Sequence, residues 1–208
     1  MHKLMFKVLF SVMTGLFAQH AAAQVVFTTD VPTGNAELVV NGGQWLAEEF
    51  TTSQTFNITS LAAYINDAGD TNQIGNTFTL SVYDNSSTGT PWLASQEFSK
   101  DITFAGDGWN GANSITNLQL SAGTYWLAIE VGINDNFQGN LQTSTSSSLA
   151  FANYDGISTA GYQLSSGYNF GIQVNGDAVP AAVPLPSSLW LLVSGLAMLS
   201  RTVKRHTA

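Results

Sequence analysis

From Trp45 to Val174 the chain alternates apolar and polar residues in short runs separated by turn residues. Phe78-Thr-Leu80-Ser-Val82-Tyr-Asp84 is the cleanest run, and a period of two sets Phe78, Leu80 and Val82 on one face of a strand. Over 124–131, Tyr125, Leu127, Ile129 and Val131 share one face, while Trp126, Ala128 and Glu130 take the other. Further strands are predicted over 45–50, around Phe56, Ile58 and Leu61, and over 92–98, 114–120, 150–154 and 168–174. Turns are predicted over 85–91, at Asp107-Gly108 and Asn110-Gly111, and over 121–123. No run between the termini carries a long helical period with caps. Many short strands spaced by turns predict an all-β fold, a jelly-roll-like β-sandwich.

The pattern changes at both ends. Lys3 and Lys7 precede an apolar stretch over 8–18, and Ala21, Ala22 and Ala23 supply small side chains before Gln24. That order predicts a signal peptide over 1–23, cut before Gln24. At the other end, Pro184 and Pro186 bias the chain against helix, so an apolar helix is predicted over 187–203. It would rise roughly 25 Å at about 1.5 Å per residue. Arg201 and Lys204 can snorkel to lengthen its reach toward a bilayer core of about 30 Å. Arg201, Lys204 and Arg205 would stay cytoplasmic, leaving the bulk of the chain outside the inner membrane. The predicted layout is a signal peptide over 1–23, a sandwich domain over 24–174, a small-residue linker over 175–182 and a sorting segment over 183–208.

Val183-Pro184-Leu185-Pro186, then Trp190-Leu191-Leu192, then Ser194-Gly195-Leu196, then the basic tail resembles the PEP-CTERM family of sorting signals in its VPLPA-type variant. Leu185 stands where the parent family has Glu, and Ser187-Ser188 where the variant has alanines. The resemblance implies recognition by an exosortase, a transpeptidase-like membrane protease of bacteria that make extracellular polysaccharide. It implies transient inner-membrane anchoring, cleavage near the proline motif, and a final place at the cell surface or outside the cell. From Glu49 to about Tyr154 the chain is similar to exported β-sandwich domains grouped as choice-of-anchor proteins. The residues that carry this are Glu49-Phe50-Thr51, the Phe78-to-Tyr83 strand, Gly89-Thr-Pro91 with Trp92-Leu93, and the run from Leu120 to Leu127. That likeness implies fold and placement, not an activity.

Charge and composition narrow the function. Fourteen acidic residues against Lys100 alone leave residues 24–182 with a net charge of −13. Nucleic acid is excluded as a partner, because phosphate backbones need Lys and Arg. The three His residues are His2, His20 and His206, and there is no Cys. Between the terminal segments there is thus no Ser-His-Asp triad, no Cys-His pair and no common zinc site.

Three clusters offer oxygen ligands to calcium: Asn66, Asp67, Asp70 and Asn72; Asp107, Asn110 and Asn113; and Asn134, Asp135 and Asn136. The same residues make turns without an ion, and Asp67 and Asp70 are the favoured ligands if one binds. Trp109, expected in a turn, is the candidate for stacking on a sugar ring, with packing as its alternative. Trp45, Trp92 and Trp126 are expected to pack between sheets. Glu48 and Glu49 would point to opposite faces, so they cannot flank one glycosidic bond, whereas Glu97 with Glu130 depends on the fold. The main expectation is an exported, non-catalytic protein with a structural or adhesive role. The alternatives are a carbohydrate-binding module, with or without calcium, and a glycan hydrolase.

Overall fold

The computed structural model describes residues 24–34, 37–69, 72–85, 89–91, 95–144, 151–155 and 161–180. Along them run β1 (Gln24–Thr28), β2 (Glu37–Val40), β3 (Trp45–Thr52), β4 (Phe56–Asp67), β5 (Thr77–Asp84), β6 (Gln96–Thr103) and β7 (Gly108–Asn113). There follow β8 (Gln119–Leu120), β9 (Gly123–Glu130), β10 (Gly139–Ser144), β11 (Phe151–Tyr154), β12 (Gln163–Ser165), β13 (Asn169–Phe170) and β14 (Ile172–Ala178).

The strands form two antiparallel sheets. The first runs β1-β14-β4; β4 takes β7 and β8 on its other side, and its far end pairs with β10, which also holds β2 and β13. The second runs β12-β11-β3-β9-β5-β6. Alternation decides what each face meets. Phe78, Leu80 and Val82 with Tyr125, Leu127 and Ile129 join Ile58, Leu61, Ala63, Ile65, Ile172 and Val174 of the other sheet in one buried cluster. Two sheets sharing one apolar core are consistent with a β-sandwich. Each large side chain so buried contributes about 1.5–3 kcal/mol.

Three expectations are corrected. Asn110-Gly111 is no turn: both residues lie inside β7, paired with Ala63 and Ala62. The turn sits upstream, where Gly106 and Gly108 adopt φ of 128° and 114°. Asn110 closes it, accepting the Ala105 N–H at 2.9 Å and donating to the Gly106 and Gly108 carbonyls. The strand predicted over 114–120 shrinks to β8, because Ser114 turns the chain at a φ of 57°. The segment between stays docked through Ile115 N–H to Thr59 O and Ile58 N–H to Leu118 O. The linker predicted from Asn175 onward begins too early: Asn175–Ala178 belong to β14, between β1 and β4. Its small residues reflect close packing, since a Cβ on Gly176 would stand 2.7 Å from the Asn57 carbonyl oxygen.

Candidate functional site

The two sheets present different outer faces. On the outer face of the first, Tyr64 of β4 stands opposite Trp109 of β7. Their rings meet edge to face, centroids 5.5 Å apart at 83°. Trp109 is 38% exposed. It is thus a strand residue, not a turn residue, and its ring is braced rather than buried. Tyr64 is in turn hemmed by Gly171, where a Cβ would meet the Tyr64 Cβ at 2.5 Å and the Pro32 ring at 2.9 Å. Along the strands from this pair come Gly111, Ala62 and Gln173 in one row and Asn113, Ser60 and Asn175 in the next.

Asp67 closes a loop. Its Oδ1 accepts the Gly69 N–H at 3.3 Å and its Oδ2 the Gln73 N–H at 3.2 Å, while its own N–H donates to Asp107 Oδ1 at 2.7 Å. Asp135 does the same locally, its Oδ2 accepting the Gly132 N–H at 3.1 Å. These carboxylates serve backbone donors, the turn chemistry of Asp. Asp70 lies outside the described residues. Among the described residues no three His, Cys, Asp or Glu side chains gather as a metal site.

The centre of the outer face of the second sheet is buried. Trp126, Ala47, Ala128 and Ala152 are fully buried there and cluster with Tyr83, against which Tyr162 packs. Trp126 therefore packs outside the second sheet, not between the sheets as expected. Its alternation with core residues Tyr125 and Leu127 puts it on that side. Trp45 also faces this side, T-stacked on Tyr154 at 4.8 Å, with its Nε1–H donating to the Val131 carbonyl at 2.6 Å. Trp92 lies outside the described residues.

Glu130 lies on the same face. Its carboxylate accepts three hydroxyls: Ser81 at 2.7 Å, Tyr83 at 2.7 Å and Tyr162 at 2.8 Å. Gln96 completes the network through its Nε2 to Tyr83 OH at 3.1 Å. Burial, then the Glu130 charge, holds both tyrosines above the usual phenol range, so each keeps the proton it donates. Glu97 is exposed on edge strand β6 and shares no hydrogen-bonding group with Glu130.

Glu48 and Glu49 do face opposite ways. Glu49 accepts from Asn85 Nδ2 at 3.0 Å. Glu48 points into the core, fully buried, with Oε2 3.4 Å from the Phe170 N–H and Oε1 without a partner. Burial pushes its pKa up to about 9, opposed by the Phe170 bond and assisted by the Glu49 charge. At neutral pH it is a neutral acid walled off from solvent.

A cavity of about 300 Å³ opens beside Gln44, Asn153, Tyr154, Asp155 and Gln163. A second, of about 440 Å³, lies beside Asn41, Ile133, Asp135 and Phe137, and Gly43 borders both. Both linings are mainly polar, and each contains a single carboxylate.

Sequence reasoning singled out Trp109 but missed its brace, Tyr64, and the Glu130 network. The signal for Tyr64 was its place between Ala63 and Ile65, which turns it away from the core. The Glu130 network joins residues far apart in the chain and has no local signal. The sorting residues Val183, Pro184, Leu185, Pro186, Trp190, Ser194, Gly195, Arg201, Lys204 and Arg205, with Ala21 and Ala23, lie outside the described residues. Gln24 opens β1. Among the described residues no helix is long and apolar enough to cross a membrane. No protein-family profile matches the chain, and no curated protein sequence is similar to it.

Proposed function

We propose that this is an exported, non-catalytic protein that an exosortase-like membrane protease sorts to the cell surface or the extracellular matrix, where it has a structural or adhesive role among exopolysaccharides. The observation that carries this reading is the order Pro184-Leu185-Pro186, apolar run and basic tail, set directly after the last strand of the domain. The folded domain lies between Gln24, the expected mature start, and Ala178, so both terminal segments can be removed without cutting a strand. The fold we propose is a jelly roll. Its support is the strand order: β1-β14-β4-β7 in one sheet and β3-β9-β5-β6 in the other, the succession of two interlocked Greek keys. β10 to β13 are then an insertion before the last strand. The non-catalytic reading draws on the buried acids. Glu48 is shut in the core, and Glu130 already accepts three hydroxyls, so neither is poised as a general base.

Mass spectrometry of the exported protein tests this. The expected product begins at Gln24 and ends close to the Pro184–Pro186 motif. An intact chain ending at Ala208 and recovered from the cytosol refutes the proposal.

A further inference from the structure

We propose that the outer face of the first sheet, around Trp109, binds a neutral polysaccharide chain. Three observations on this face converge. Trp109 is a partly exposed indole in a strand, and the perpendicular Tyr64 ring fixes its orientation before any ligand arrives. A flat apolar ring held in place suits the C–H side of a sugar, and pre-ordering lowers the cost of binding. Beside the platform the face carries amides and hydroxyls: Gln173, Asn113, Ser60 and Asn175. Asn175 Nδ2 donates to Ser60 Oγ at 2.9 Å, whereas the Gln173 and Asn113 side chains have no hydrogen-bond partner among the described residues. They are open to sugar hydroxyls. From Trp109 to Asn113 the strand runs roughly 13 Å at about 3.4 Å per residue, room for two or three sugar units in line.

Charge selects the occupant. The only basic residue between Gln24 and Ala182 is Lys100, on β6 of the other sheet. An acidic polysaccharide would find no cation on this face and would meet a domain of net charge −13. A protein partner is disfavoured because one aromatic pair among amides is too little apolar surface for an interface core. The inference rests on the export proposal only for access to polysaccharide.

Native gel electrophoresis tests it, with the full chain in mild detergent and dextran, xylan, mixed-linkage glucan or alginate cast in the gel. Retardation is expected with at least one neutral polymer and not with alginate. Trp109→Ala should weaken it about tenfold with circular dichroism unchanged. Gln173→Ala should weaken it about threefold. No retardation by any neutral polymer, retardation by alginate, or retardation unchanged in both variants overturns the proposal. So does a dimer that Trp109→Ala abolishes. If Trp109→Ala fails to fold, Gln173→Ala decides alone: a loss upholds the site and no change overturns it. Neither variant touches the terminal segments, so correct processing with failed binding refutes this inference and leaves export standing.

Discussion

Glu130 and Glu48 are both buried carboxyl groups, yet the regions around them handle the acid in opposite ways. On the outer face of the second sheet, Glu130 is surrounded by Ser81, Tyr83 and Tyr162 hydroxyls, and its carboxyl oxygens accept three short hydrogen bonds. Between the sheets, Glu48 has one long contact to Phe170 and an oxygen with no partner, so it stays protonated. The difference teaches how a domain with one lysine buries acids. No cation is at hand for an ion pair, so hydroxyl donors or a retained proton must do the work. Asp67, near the surface, uses a third device, the backbone N–H groups of its loop.

The largest effect should come from Glu48. Its folded pKa of about 9 lies above the ordinary carboxyl value of 4.5 that the unfolded chain takes. The folded state therefore holds the proton that the unfolded state has lost. The stability that Glu48 contributes is greatest below pH 4.5 and falls as pH rises to about 9, by up to about 1.4 kcal/mol per pH unit. Urea unfolding of Glu48→Gln across that range should show a much flatter slope and greater stability at pH 8. Equal slopes in both proteins would mean that Glu48 ionises in the folded domain much as it does in the unfolded chain. Next, Glu130→Ala leaves three hydroxyls without their acceptor and should cost about 3 kcal/mol in the same assay. A loss under 1 kcal/mol would erase the contrast between the two acids. Tyr162→Phe removes one donor of the three and should cost about 1 kcal/mol. Smallest is Asp67→Ala, expected at about 0.5 kcal/mol and read as faster amide exchange at Gly69 and Gln73.

Much of the fold was legible because period-two alternation is a local signal. It put Phe78, Leu80 and Val82 in the core, and Leu127 and Ile129 with them. It also separated Glu48 from Glu49. The failures came where tertiary contacts overrode local preference. Asn110-Gly111 has turn chemistry, but β4 offers a ladder to that segment, and Asn110 spends its side chain on the turn before it. Size alone suggests that Trp126 lies between the sheets, but its alternation with Tyr125 and Leu127 puts it on the other side. Trp109 was legible as a candidate, but its bracing by Tyr64 depends on the β4–β7 register. The Glu130 network unites positions 81, 83, 130 and 162, and no window of sequence contains them all.

The position of β14 carries a mechanical consequence. It is the last strand before the C-terminal segment, and it is laced to β1 on one side and to β4 on the other. Were the proposed sorting segment to hold the domain before cleavage, a pull on the C-terminal end would reach β14 first. Its rungs to both neighbours would resist that load. Trp109 sits on β7, one strand beyond β4 in the same sheet. Under both proposals, a tug between a polymer held there and the C-terminal end would cross β7, β4 and β14, all strands of the first sheet.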